Sequence, residues 1–228
     1  MKYSEIDVKL IDSMGSDLTV VNAARVSFAN KHEELDGKKD EKLIKYLARH
    51  GHWSPFAHGS LQFHIVAPIF VSRQLVKHQV GLSWNEVSRR YVDIEPEFYN
   101  PKRWRIKAEN IKQGSSNKEV EWYDAEHRVD HSHTILIGNC LATYKDMLKR
   151  GIAPEMARMV LPQSMMTEWY WSGTLYAFAR VCILRLDEAA QKETRDVAKQ
   201  ISAYAQKRFP ISWKYLMEGI DGSTRDHN

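Results

Sequence analysis

The stretch "GSLQFHIVAPIFVSRQLVKHQ", residues 59–79, changes its hydrophobic period in the middle, and that change limits the possible folds more than any other feature. Leu61, Phe63 and Ile65 alternate with Ser60, Gln62 and His64, the pattern of a strand with one buried face. Pro68 then suits the first turn of a helix running through "IFVSRQLVKHQ". On such a helix Arg73, Gln74, Lys77 and His78 share one polar face through their three- and four-residue spacing, and the segment ends at Gly81. A half-buried strand running straight into a helix calls for a small sheet with helices against it.

The flanking sequence extends the pattern. "IDVKLIDSMG" predicts a short edge strand closing at Gly15. Ser16 can cap a helix over "SDLTVVNAARVSF" (16–28), where Leu18, Val21, Ala24 and Val26 recur at helical spacing. Residues 31–42 are charged and read as a surface loop. "DEKLIKYLARHG" (40–51) predicts a short helix with Asp40 at its start and Gly51 at its end. Residues 98–115 look irregular, and the Ser116 to Glu119 spacing makes a capping box for a long helix stopped by Gly151. "PEMARMVLP" (154–162) is a short helix bounded by prolines, "MMTEWYWS" a second strand, and "GTLYAFARVCILRL" (173–186) a strongly apolar helix. Asp187 can cap a last long helix over 188–208, before Pro210. No repeat or linker divides the chain, so the expectation is one α+β domain over 1–228, a small, mostly antiparallel sheet flanked by long helices.

Composition excludes several classes. Forty-three per cent hydrophobic and 11% aromatic residues in 228 are ample for a packed core, which removes intrinsic disorder. The two cysteines, Cys140 and Cys182, lie in helix-like apolar sequence and read as small core residues, which fits a reducing cytoplasm and no disulfide. The first residues are charged and unlike a signal peptide, and no apolar run approaches the roughly 20 residues that span a bilayer, so no membrane partner is expected. Net charge is a mild +4. The basic, aromatic stretch "RRYVDIEPEFYNPKRWRIK" is interrupted by acidic residues, against a nucleic-acid surface. "HRVDHSH" spaces His127 and His131 four apart, but the general-base Glu of H-E-x-x-H is missing and no cysteine lies close, so it reads as a solvated face and no metal is expected.

Neither a Rossmann fingerprint nor a P-loop is present, so any phosphate must be held mainly by side chains. Residues 73–91 offer them. A helix ending at Lys77 and His78 leads into a loop carrying Asn85, Glu86, Ser88, Arg89 and Arg90. A hydroxyl, loop amides and two guanidinium forks can grip a phosphate, while Asn85 and Glu86 can read sugar hydroxyls or a base edge. Arg158 and Arg185 sit in apolar surroundings where an unpaired charge is costly. Each calls for an anionic or carbonyl partner, a ligand in one reading, Glu155 or Asp187 in the other.

Residues 54–91, "SPFAHGSLQFHIVAPIFVSRQLVKHQVGLSWNEVSRRY", resemble the signature region of flavin-dependent thymidylate synthases: Arg-Gln, an Arg-His-Arg triple, then Ser-x-Asn-Glu-x-Ser-x-Arg-Tyr. The resemblance extends to "VVNAARVSF" (20–28), "GHWSPF" (51–56), "ARMVLP" (157–162) and "ILRLDEAAQ" (183–191), and leaves 101–150 weakly constrained. It implies conversion of dUMP to dTMP, with a one-carbon unit from methylenetetrahydrofolate and a hydride from FAD that NADPH has reduced, in a homotetramer with shared active sites. It implies that Ser88, Arg89 and Arg90 hold the dUMP phosphate with Arg158 of another subunit, and that Gln74, Lys77 and Glu86 line the nucleotide. Arg185 would face the uracil, where a cation stabilises negative charge on the ring. His78, Gln79, Asn85 and Ser54 would contact FAD, and His52 would lie where folate and flavin stack. Arg185 and Ser88 are the candidate catalytic residues, with Ser88 assigned to the phosphate because no adjacent base activates it.

The chain departs from the family pattern on the flavin side. Lys77-His78-Gln79 replaces Arg-His-Arg, and a lysine cannot form the bidentate fork. One extra residue separates that triple from Ser83. Thr174, Tyr176 and Arg180 stand where asparagine, arginine and asparagine are frequent, with Thr174 and Arg180 kept as flavin-side candidates, and Ala189 replaces a common histidine. Two alternatives stay open: hydroxymethylation of dUMP, in which water completes the one-carbon transfer, and a nucleotide-binding homologue without catalysis.

Overall fold

The computed structural model describes residues 1–92, 94–109, 115–121 and 128–219. In chain order the strands are β1 (Lys2–Tyr3), β2 (Asp7–Met14), β3 (Ser60–Pro68), β4 (Leu82–Glu86), β5 (Glu97–Phe98), β6 (Arg105–Lys107), β7 (Ser115–Glu119) and β8 (Met166–Thr174). The helices are α1 (Asp17–Arg25), α2 (Gly37–Arg49), α3 (Ile69–Leu75), α4 (Val129–Lys149), α5 (Pro154–Ala157), α6 (Leu175–Leu186), α7 (Lys192–Arg208) and α8 (Pro210–Gly219). The main sheet is antiparallel with strand order β2-β3-β8-β4, so β2 is an edge strand, as its sequence predicts. β6 and β7 form a separate antiparallel ribbon, and β1 pairs in parallel with β5.

β3 and β8 pair in unbroken register from Ser60↔Thr174 to Pro68↔Met166. The predicted alternation holds, with Leu61, Phe63 and Ile65 buried, and on β8 the buried positions are Met166, Thr167, Trp169 and Trp171. Both strands turn into helices at once, β3 into α3 and β8 into α6. Phe63, Trp171 and Phe178 meet edge to face with centroids 5.1 and 5.3 Å apart, inside one apolar cluster that also takes in α1, α2, α7 and α8. A second, smaller cluster joins Phe98 to Ile137, Leu141 and Tyr144 of α4.

Several boundaries differ from the sequence reading. Ser116 and Glu119 lie on β7, and the long helix begins at Val129: a capping-box spacing acts only where the backbone turns helical, and here it pairs with β6. α2 starts three residues before Asp40, which is buried inside it and accepts from the Asp36 amide (2.8 Å), Arg25 (2.7 Å) and, at 3.2 Å, faces His32. α7 starts at Lys192, and Asp187 instead accepts from the Ala189 amide at 2.8 Å. Beyond it comes α8, which the sequence reading lacks because Pro210 reads as a stop. Proline is equally suited to a first helical turn, and the amides of Ile211 and Ser212 are satisfied from far away by the buried Asp17 carboxylate at 2.9 and 2.8 Å.

β4 reaches the sheet through a close backbone approach. A Cβ at Gly173 would lie 2.4 Å from Leu82 Cδ2 and 2.5 Å from the Gly81 carbonyl oxygen. Gly173→Ala therefore forces β4 off β8. The expected loss is about 2 kcal/mol or more of unfolding free energy, read from the midpoint of urea denaturation.

Candidate active site

α3 ends at Leu75, sooner than its sequence suggests, so Lys77 and His78 lie in the turn that follows. That turn is closed by His78 N–H donating to the Leu75 carbonyl at 3.0 Å and by Gly81 at φ +76°. Arg73, Gln74 and Lys77 nevertheless line one cleft of 670 Å³. Arg185 and Gln191 approach it from the α6–α7 side, and Arg105 and Ser115 from the β6–β7 ribbon. Arg105 is bound to Glu193 (2.7 Å) and Ser115 (2.6 Å). Among the described residues, Arg73, Lys77 and Arg185 have no carboxylate partner. Three unneutralised cations around a concave surface make an anion site. A neighbouring cavity of 570 Å³ lacks that property, because its Lys102 is bound to Glu5 and its Lys192 to Asp196, both at 2.7 Å.

Arg185 is partly buried, and its Nε–H donates to Nε2 of His78 at 3.0 Å; among the described residues neither Asp187 nor another carboxylate meets it. A guanidinium can only donate, so Nε2 must carry a lone pair and His78 must be neutral. Burial first, then the positive charges of Arg185 and Arg180, push the His78 pKa down to about 4. Burial also lowers the Arg185 pKa.

The other anion-binding candidates sit elsewhere. Asn85 and Glu86 are on the edge strand β4, not in a loop, and Trp84 just before them stacks on Trp169 at 4.4 Å. Both Glu86 oxygens are engaged, by the Thr167 hydroxyl (2.7 Å) and the Trp84 indole (3.2 Å). Beyond them Ser88–Tyr91 form a turn: Ser88 Oγ accepts from Arg90 Nε (3.2 Å), Arg90 stands 5.0 Å over the Tyr91 ring, and Arg89 donates to the Ile94 carbonyl. Arg158 is exposed after α5, with Nε donating to the Glu155 carbonyl at 3.3 Å. None of Glu86, Ser88, Arg89, Arg90 and Arg158 lines the cleft. Among the described residues no hydrogen bond or ion pair joins them to Gln74, Lys77 or Arg185.

The flavin-side candidates also divide. The rings of Tyr46, His50 and His52 form a cluster of roughly parallel rings, with centroids 4.1 and 5.9 Å from Tyr46 and 6.5 Å between the two imidazoles, next to exposed Trp53 and Ser54. Thr174 caps α6, accepting from the Ala177 amide at 3.1 Å, and its own amide donates to the Gly81 carbonyl. Gln79 and Arg180 are exposed. His127 lies outside the described residues, His131 is exposed, and His133 packs edge-on against Trp104 at 5.2 Å. Cys182 is fully buried, and burial pushes its thiol pKa up. Among the described residues no helix is long and apolar enough to cross a membrane.

Arg105, Ser115, Gln191 and Glu193 join the site without being readable from sequence as site residues. Gln191 and Glu193 fall inside a segment that reads as helix, and Arg105 inside one that reads as irregular. No local period marks a ribbon residue that becomes a cleft wall only through a distant carboxylate.

Known proteins match this arrangement over nearly its whole length. Residues 9–211 match the family model described as thymidylate synthase complementing protein. The chain is 38% identical to a flavin-dependent thymidylate synthase of Thermus thermophilus over 218 residues, 93% of this chain and 77% of that one. It is 38% identical to the flavin-dependent thymidylate synthase of Thermotoga neapolitana, covering 94% and 93% of the two chains. The chain belongs to the flavin-dependent thymidylate synthase family. The fold of that family is also that of a UMP/dUMP methylase, PolB from Streptomyces cacaoi, solved with 5-Br dUMP: TM-score 0.83, 33% identity, 96% of this chain and 97% of that one.

The neutral His78 carries a pH signature. Its folded pKa, about 4, lies below the ordinary 6.5, so between those values the unfolded chain binds more protons and stability falls as the medium is acidified. Replacing His78 by Asn removes that contribution. The drop in unfolding free energy from pH 6.5 to pH 4.5 is expected to shrink by on the order of 1 kcal/mol, read from urea denaturation at the two pH values.

Proposed function

We propose that this protein is a flavin-dependent thymidylate synthase that converts dUMP to dTMP. The observation that carries the reading is the cleft in which Arg73, Lys77 and Arg185 have no carboxylate partner among the described residues, in a chain of this family. In the proposed reaction dUMP, methylenetetrahydrofolate, NADPH and a proton give dTMP, tetrahydrofolate and NADP⁺: the folate's one-carbon unit replaces a ring hydrogen, and a hydride reduces it to methyl.

FAD, when bound, supplies that hydride, and the protein positions and polarises the nucleotide. The Arg185 guanidinium lies against the uracil and stabilises negative charge that develops there. Neutral His78 serves it, because a lone pair holds the guanidinium in place without neutralising it. Gln74, Lys77 and Glu86 line the nucleotide. Ser88, Arg89 and Arg90 take its phosphate with Arg158. Because these lie apart from the cleft of their own chain, the complete site draws on other subunits, and a homotetramer with shared sites supplies them. The donor set suits a flat, anionic cofactor. The aromatic cluster of Tyr46, His50 and His52 offers stacking faces for flavin or folate, and Ser54, Asn85, Gln79 and Arg180 are exposed polar groups that can take its chain. His78 and Thr174 are already bound, to Arg185 and Ala177, and have less left to offer. The reading extends to one domain over the whole chain, acting in the cytoplasm on small molecules rather than on nucleic acid or a membrane.

Mass analysis of the nucleotide formed by the purified protein from dUMP, methylenetetrahydrofolate, FAD and NADPH tests the proposal. dTMP is the expected product. Hydroxymethyl-dUMP or unchanged dUMP overturns the synthase reading. Arg185→Ala is expected to lower kcat/KM for dUMP by about 100-fold or more, as loss of a charge-stabilising donor does.

A further inference from the structure

Gln74 meets the cleft with a side chain already engaged at both ends. Its Nε2 donates to Oε1 of Gln191, and its Oε1 accepts from the Thr194 hydroxyl at 3.2 Å. A carboxamide turned end for end has nearly the same shape, and a threonine hydroxyl can donate or accept, so neither residue dictates which end of Gln74 is which. A third group has to break the tie.

That group is Glu193, buried at 4% exposure and absent from the cleft wall. A carboxylate only accepts. Its Oε1 takes the Arg105 guanidinium at 2.7 Å and the Tyr99 hydroxyl at 3.4 Å, and its Oε2 takes Nε2 of Gln191 at 3.2 Å. Gln191 must therefore turn its NH₂ toward Glu193 and its carbonyl toward Gln74. Gln74 in turn must offer its NH₂ to Gln191. The opposite setting would bring two carbonyl oxygens together, or two NH₂ groups. Tyr99, whose pKa burial and Glu193 push up to about 12, remains a donor throughout the working pH range.

We infer that Glu193 is a positioning residue: acting through Gln191, it fixes the donor–acceptor polarity with which Gln74 meets the ligand in the cleft. With one N–H and one carbonyl lone pair committed, Gln74 keeps one of each, in a set arrangement, for the nucleotide. The inference rests on the reading of the cleft as the nucleotide site.

The test is a double-mutant cycle on the full-length protein, with dUMP affinity measured by titration calorimetry in the wild type, Glu193→Gln, Gln74→Ala and the double variant. Glu193→Gln keeps the shape, but Arg105 can only donate and so holds the new carbonyl, which turns an NH₂ toward Gln191 and reverses the relay. The expected result is about tenfold weaker dUMP binding when Gln74 is present and less than about twofold when it is absent, the non-additivity of residues acting in series. An equal loss in both backgrounds, or no loss in either, overturns the positioning role and leaves the nucleotide site standing. Unchanged affinity on Gln74→Ala alone overturns both. If Glu193→Gln fails to fold because Arg105 loses its partner, Gln191→Leu interrupts the same relay while sparing the Arg105–Glu193 pair, and the same outcomes decide.

Discussion

The nine-residue antiparallel pairing of β3 with β8 supports everything that follows from it in this protein. Each strand ends by turning directly into a helix, and because the strands are antiparallel, α3 and α6 leave opposite ends of the pair. Their buried faces share one cluster with Phe63, Trp169 and Trp171, and their C-terminal ends meet where Arg185 donates to His78. The cleft exists because two strand-to-helix switches are held in register by one ladder. β4 adds the third piece, packed close enough to β8 that only a glycine fits at 173, and it carries Asn85 and Glu86 along the sheet's edge.

The charge arrangement has a single logic. Arg185 leaves an apolar helix and is half-buried, where a carboxylate would satisfy it and also cancel it. A neutral imidazole satisfies its Nε–H while leaving its charge free, and burial first, then the neighbouring guanidiniums, keep that imidazole neutral. The carboxylate Glu193 is placed one layer back, on Arg105 and Gln191. Positive charge is thus left at the cleft surface and negative charge is used behind it as structure.

Much of this was legible. The alternation of Leu61, Phe63 and Ile65 with polar neighbours can satisfy only a half-buried strand, and the apolar run from Leu175 to Leu186 only a buried helix. The Asn-Glu-x-Ser-x-Arg-Tyr order pointed to the family that the relatives show. The misreadings share one cause. Ser116 and Glu119 carry helix-cap chemistry but pair with β6, and Pro210 carries stop chemistry but opens α8 because Asp17, 194 positions from Ile211, accepts its amides. Local signals state what a residue can do, and partners remote in the chain select among those capacities.

The sequence by itself determined which segments had to bury a face, because burying apolar side chains at period two or 3.6 leaves few alternatives, and it supplied the cations that an anionic ligand requires. Tertiary structure decided which of those cations stay free. Arg73, Lys77 and Arg185 converge on one cleft with no carboxylate partner among the described residues, Arg105 is claimed by Glu193, and Ser88, Arg89 and Arg90 stand apart at the end of β4. The reason is range: hydrophobic periodicity acts between neighbours along the chain, whereas an ion pair depends only on distance in space, which the fold alone sets.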